Sequence, residues 1–299
     1  MLEADLLVDR RRLKRHLNFW RVLTVLAVVL AIGVVAAPRL PLGVGGQHVA
    51  RINIGGIITE DRKLSDAIIA LAKDTSVPAV IVSVDSPGGS VAGGESLHAA
   101  LLRLAAAKPV VTVMRGTAAS AGYMVSLPAE RIFARESTLT GSIGVILETV
   151  QISGLLGKLG VDAEAITSGP LKDQPSYTRP LTEPGRAYLN GLVQDMFDQF
   201  VQMVATGRHM DPDAVRKLAD GRAYTGRQAK ALGLVDEIGG EIEARAWLAD
   251  KHGIADTLPV RDLELSSFVQ RTFGSATTGL RTMLFGTQDA GAWAIWTGH

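Results

Sequence analysis

The chain has no cysteine. That excludes disulfides, a thiol nucleophile and any cysteine-held metal site, and it leaves the compartment open. Histidine is sparse. His16, His48, His98, His209, His252 and His299 are scattered, no two at metal-ligand spacing, so no metal and no cofactor is expected. No histidine sits in a local catalytic motif; only His98 or His209, converging in space, would supply one. A surplus of one charge is also missing. The 31 basic side chains face 30 acidic ones, for a net charge of +1, and nucleic acid is not an expected partner. Aromatic residues make up only 5% of the chain, so Ala, Val, Leu and Ile must form the core.

What is present is apolar and rich in glycine: 47% hydrophobic residues and 32 glycines in 299 positions. This suits an α/β protein with tight strand–helix turns. One apolar run stands apart. It follows the basic Arg10-Arg11-Arg12-Leu13-Lys14-Arg15-His16, and from Phe19 to Ala37 only Arg21 and Thr24 interrupt it. Roughly twenty apolar residues cross a bilayer, with about 17 as the lower limit. Residues 1–18 are therefore expected as a cytoplasmic basic N-terminus and 19–38 as a transmembrane anchor, followed by a Gly/Pro linker over 39–47. The basic flank stays inside, which places the rest of the chain across an inner membrane, in the periplasm. A cleaved signal peptide is the alternative, but Pro38, directly after the small residues Ala36 and Ala37, would hinder cleavage.

Residues 48–257 alternate strand and helix patterns and form one expected domain. His48–Ile58, Ala79–Val84, Val110–Met114, Arg131–Ala134, Leu139–Ile146 and Ala163–Ile166 read as strands. Leu64–Ala72, 90–106, Leu155–Leu159, Thr182–Thr206, a short stretch after Asp211-Pro212, Gly226–Leu232 and Glu241–His252 read as helices. Such alternation implies right-handed crossovers and parallel pairing. Ser168–Pro180 is a long polar loop, of a length that is usually functional. Residues 258–299 scatter Phe268, Phe273, Trp293 and Trp296 among Gly, Ser and Thr without a period, and read as a weakly ordered tail.

Three features carry possible chemistry. The first is Ser120, in Gly116-Thr117-Ala118-Ala119-Ser120-Ala121-Gly122-Tyr123-Met124, placed where a strand turns into a helix. It is either a helix N-cap or a nucleophile beside unpaired N–H groups and the positive helix end. The second is Asp85-Ser86-Pro87-Gly88-Gly89, at a strand's C-terminal end. It is either an ordinary tight turn or an oxyanion hole, built from the N–H of Gly88 or Gly89 together with that of Ala121. The third is Lys172, either a solvated surface charge or a base. An ordinary lysine, with a pKa of about 10.4, is protonated at neutral pH; burial lowers that value by up to several units and frees the amine to take the Ser120 proton. Ser142 is the candidate to hold that amine. Val91, Met124 and Val145 are candidate walls of an apolar groove.

Further stretches complete a pattern: Leu139-Thr140-Gly141-Ser142-Ile143-Gly144-Val145, Ser168-Gly169-Pro170-Leu171-Lys172-Asp173, Asp220-Gly221-Arg222-Ala223-Tyr224-Thr225-Gly226-Arg227-Gln228-Ala229, and Leu232-Gly233-Leu234-Val235-Asp236-Glu237-Ile238-Gly239-Gly240. In this order, over roughly residues 50–250, the motifs resemble the signal peptide peptidase A family of serine peptidases. The resemblance implies a Clp protease/crotonase-type spiral of β-α-β units. It implies Ser120 as nucleophile, Lys172 as general base, Ser142 as the lysine's support and Gly88–Gly89 as the oxyanion loop. The approach Gly169-Pro170-Leu171 departs from the bulkier, less proline-rich one common in that family. The resemblance also implies a homo-oligomer, an octameric ring in which a neighbouring subunit can supply the lysine. The implied substrates are remnant signal peptides and apolar membrane-associated segments. Two alternatives share the fold. A crotonase-like acyl-thioester enzyme would use carboxylates as acid and base, and an inactive membrane scaffold would lack a catalytic residue.

Overall fold

The computed structural model describes residues 18–28 and 46–264. The chain divides into two units, Met1–Gly46 and Gln47–His299. In the first, a helix (α1) runs over residues 18–28 and exposes Phe19, Trp20, Val22, Val25 and Leu26. Among the described residues no helix is long and apolar enough to cross a membrane. The remainder of the expected anchor, 29–38, lies outside the described residues, as does the linker up to residue 45.

The second unit begins β1 (Val49–Ile58), α2 (Arg62–Leu71), β2 (Val80–Gly89), α3 (Val91–Ala105), β3 (Val110–Ala119) and α4 (Ala121–Met124). It continues β4 (Arg131–Ala134), β5 (Leu139–Gly141), α5 (Ser153–Lys158), α6 (Glu183–Arg208), α7 (Pro212–Leu218), β6 (Ala223–Thr225), α8 (Gly226–Ala231), β7 (Glu237–Ile238), α9 (Glu241–His252) and β8 (Val260–Asp262). The strands join in one sheet of order β6-β5-β3-β2-β1-β8, with β4 on β3 and β7 on β4. The pairs are parallel except β5 with β6, as the strand–helix alternation predicts. The sheet forks at β3. Val111–Met114 pair with β4, and Thr117–Ala119 pair with β5. The end of β3 thus lies between β5 and the end of β2, with Ser120 just beyond it.

Alternation along β2 shows how the sheet is buried on both faces. Val80, Val82 and Val84 join the core under α2, α3, α4 and α6, while Ile81 packs with Val111 and Phe133 against Ala244 and Leu248 of α9. Local signals start the helices: Ser90 Oγ accepts from Gly93 N–H at 3.1 Å, and Thr182 Oγ1 accepts from Gly185 N–H at 3.1 Å. Thr225 and Gln228 form a capping box on α8.

A polar clamp holds α4. Tyr123, fully buried, donates its hydroxyl to Leu234 O at 2.8 Å. Burial pushes the Tyr123 pKa up, so the phenol stays a donor. Two residues on, Asp236 receives both Nη atoms of Arg208, at 2.7 and 3.0 Å, and the Ile132 N–H at 2.8 Å. Burial acts to raise the Asp236 pKa, but the Arg208 bonds, its charge and the Ile132 N–H outweigh burial and hold the carboxyl below its ordinary value.

Some expected elements differ. The strand expected over Leu139–Ile146 ends at Gly141, where φ values of 75° at Gly141 and 48° at Ser142 turn the chain out of the sheet. Ala163–Ile166 forms no strand, and Ile166 is 97% exposed. The short strands β6, β7 and β8 were not expected. β8 pairs with β1, so regular structure runs past the domain end expected at 257. The rest of the expected tail, residues 265–299, lies outside the described residues.

Candidate active site

Ser120 occupies the single position between β3 and α4, with φ 53° and ψ −119°. Positive φ is uncommon for a non-glycine residue. The backbone around it fixes this conformation. Its N–H donates to Gly141 O at 2.9 Å, and its carbonyl accepts from the N–H groups of Tyr123 and Met124 at 2.9 Å each. The hydroxyl makes no capping bond, and the backbone is not in the extended region that N-caps use. Ser120 stands at the N-cap position of α4, but its side chain does not cap the helix. A strained serine on a sharp strand-to-helix turn is the arrangement that exposes a nucleophilic Oγ.

Ser120 opens into a cleft of about 530 Å³. Gly89 and Ser142 border the same cleft, whose apolar wall is Val145, Ile146, Val193 and Phe197. Ser142 also has positive φ, and its Oγ donates to Gly221 O at 3.2 Å. Asp220, a lining carboxylate, is held below the ordinary carboxylate range by hydrogen bonds from the Arg222 side chain and N–H.

The Gly88–Gly89 turn splits into two roles. Gly88 has φ 125°, and a Cβ there would stand 2.9 Å from the Ser120 Cβ. Its N–H donates to Ser86 Oγ at 3.1 Å and is committed there. Gly89, not Gly88, lines the cleft, and a Cβ on it would collide with the Ile58 carbonyl. Of the two expected oxyanion donors, the Gly89 N–H is therefore the available one. Ala121 is the first residue of α4, where an N–H has no acceptor within the helix.

The structure thus brings Ser120, Gly89 and Ser142 to one cleft, with Ala121 buried next to Ser120 and outside the lining. It does not bring Lys172 to them within one chain. Lys172 is exposed, it is not among the cleft-lining residues, and its N–H donates to Gly169 O at 3.1 Å within its own loop. That loop is tied to the start of α6, where Gln174 Oε1 accepts from Thr182 N–H at 3.3 Å, and to itself by an Asp173–Arg179 ion pair. Of the groove candidates, Val145 lines the cleft. Met124 is buried beside Gly94 instead, and Val91 starts α3 outside the lining. Neither His98 nor His209 reaches the cleft. Among the described residues no group of His, Asp or Glu could hold a metal ion. Of the apolar wall, sequence reasoning missed Ile146, Val193 and Phe197, the last two on α6. Their spacing of four marks one face of α6, but only the fold shows that this face meets Ser120.

Residues 103–255 match the family described as peptidase family S49. A putative protease of Synechocystis sp. is 36% identical over 239 residues, 79% of this chain and 86% of its own. A putative signal peptide peptidase SppA of Enterococcus faecium is 34% identical over 228 residues, 72% of this chain and 66% of its own. Among solved structures, a mutant of the 1510-N membrane-bound stomatin-specific protease aligns with a TM-score of 0.52 at 18% identity, over 74% of this chain and 99% of that one. That likeness concerns the fold alone, and the mixed, largely parallel α/β sheet agrees with it. The chain belongs to peptidase family S49, the signal peptide peptidase A family of serine peptidases.

Proposed function

We propose that the chain is a membrane-bound endopeptidase in which Ser120 is the nucleophile and Lys172 the general base. The observation that carries this reading is the strained backbone of Ser120, at φ 53° and ψ −119°, with its uncapped hydroxyl at the cleft. Lys172 removes the Ser120 proton, and Oγ attacks a peptide carbonyl. The oxyanion is received by the N–H groups of Gly89 and Ala121. Protonated Lys172 gives its proton to the leaving amine, and water releases the acyl group.

In this reading Lys172 comes from a second copy of the chain, within a ring such as an octamer. Support comes from its exposure on a loop away from the Ser120 cleft of its own chain. Support also comes from the segment around it, which exposes Ile146, Val150, Leu155, Leu159, Ile166 and Tyr177, an apolar surface that a second copy would cover. The same coverage would strip water from the amine, which a lysine base requires. The apolar wall of Val145, Ile146, Val193 and Phe197 suits extended apolar peptides such as remnant signal peptides. The exposed apolar residues of α1 and the basic run before it support an inner-membrane anchor, with a cytoplasmic N-terminus and a periplasmic catalytic unit. Acyl-thioester chemistry would need paired carboxylates, whereas Asp220 is the carboxylate of this cleft and it is bonded to Arg222. A scaffold reading needs a missing catalytic residue, and both Ser120 and Lys172 are present.

The test is to make Ser120→Ala and Lys172→Ala separately and measure hydrolysis of a fluorogenic apolar peptide. Each is expected to lower kcat by at least about 10³-fold. Wild-type turnover in both would end the dyad reading. Loss in Lys172→Ala alone would point to another nucleophile.

A further inference from the structure

Ser86 does not line the cleft, and none of the steps above uses it. It is completely buried, near the end of β2. Its hydroxyl donates to the Gly56 carbonyl at 2.6 Å and accepts the Gly88 N–H at 3.1 Å. Gly56 has φ 66° and falls in the register shift of β1 between Gly55 and Ile57. Gly88 has φ 125°. One oxygen therefore ties the irregular end of β1 to the irregular end of β2. The main chain of Ser86 faces the third segment of the site. It pairs in register with Ala118, two residues before Ser120, and a Cβ on Gly122 would stand 2.8 Å from Ser86 O.

From these contacts we infer that Ser86 is a positioning residue that sets which glycine amide faces the oxyanion. Its Oγ takes up the Gly88 N–H and fixes the Gly88 peptide, leaving the next N–H, that of Gly89, for the cleft. Gly88 and Gly89 pair with Ile57 and Ile58 of β1, and the Ser86 hydroxyl adds the side-chain constraint that two residues without side chains cannot make for themselves. Without it, the Gly88 N–H loses its partner and becomes a competing donor, and Gly89 loses its fixed direction. The effect falls where negative charge develops, in the transition state, rather than on ground-state binding. The inference rests on Ser120 as nucleophile and Gly89 as donor.

The experiment compares Ser86→Ala, Ser86→Cys and Ser120→Ala in the full chain. It measures kcat and KM on the fluorogenic peptide, affinity for a peptide boronate whose tetrahedral adduct mimics the oxyanion, and the thermal midpoint. Ser86→Ala is expected to lower kcat about 10- to 100-fold, below the loss from deleting a donor outright, with KM changed less than about twofold. Boronate affinity should fall by the same factor, and Ser86→Cys, which keeps a weak donor of similar size, should recover part of both. Ser86→Cys carries the same comparison if Ser86→Ala does not fold. Wild-type kcat and boronate affinity in the Ser86 variants, beside an inactive Ser120→Ala, would overturn the inference alone. So would a loss confined to KM or to the thermal midpoint. Full activity in Ser120→Ala would overturn the nucleophile reading and the inference with it.

Discussion

The side chain of Ser120 lies against the bare backbone of Gly88: a methyl on Gly88 would stand 2.9 Å from the Ser120 Cβ and 3.3 Å from its Oγ. Gly88→Ala therefore meets two obstacles, the crowding and a φ of 125° that side chains rarely adopt. The expected outcome is a fall in kcat of at least about 10²-fold, comparable to loss of an oxyanion donor. Thermal or denaturant unfolding should show a cost of about 1–3 kcal/mol for the strained backbone. Steady-state kinetics and a melt on one preparation check both.

Phe197 forms part of the cleft wall facing Ser120. Truncating it to alanine removes apolar contact from the peptide but touches no reacting atom. For an apolar fluorogenic peptide, kcat/KM should fall about 10- to 100-fold, and for a polar peptide of equal length by less. Equal losses on both peptides would place Phe197 outside the substrate's path.

The Arg208–Asp236 pair gives a pH dependence with a definite sign. The Asp236 carboxyl is held below its ordinary value in the folded chain, so its contribution is fully present above about pH 4 and is lost as pH falls further. Asp236→Asn leaves Arg208 without its ion-pair partner, at a side-chain exposure of 9%. It should lower stability at neutral pH by about 3 kcal/mol. The variant should also lose less on acidification through the acid range than the parent does. Denaturant unfolding at pH 7 and pH 3 measures both.

Much of this site could be read from the residues, for reasons that differ by element. The β-branched run Val110–Met114 marked β3, but the strand continues to Ala119 through small residues that carry no periodic signal, because β5 pairs with them. Leu139–Ile146 has strand-like composition, yet two consecutive residues with positive φ end β5 at Gly141. Ala163–Ile166 has β propensity but joins none of the sheet's ladders among the described residues, and propensity without a partner makes no strand. The two- and three-residue strands β6, β7 and β8 are shorter than one alternation can show. The local sequence around Ser120 fits both a cap and a nucleophile, since both put a serine at a strand–helix junction; the order of the motifs favours the nucleophile, and the backbone shows that its hydroxyl does not cap α4. The split between Gly88 and Gly89 depends on Ser86 Oγ, a contact that no spacing rule predicts.

Under the proposed dyad, Ser120 reacts only when Lys172 of a second copy takes its proton. Co-expressed Ser120→Ala and Lys172→Ala chains should complement each other, because each supplies what the other lacks. If the dyad forms between subunits, about a quarter of the sites in a randomly mixed ring combine an intact serine with an intact neighbouring lysine. The prediction is that the mixed assembly regains roughly that share of wild-type turnover on the fluorogenic peptide, while each variant alone stays inactive. A mixed assembly, shown to contain both chains, with no more activity than its parents would contradict it.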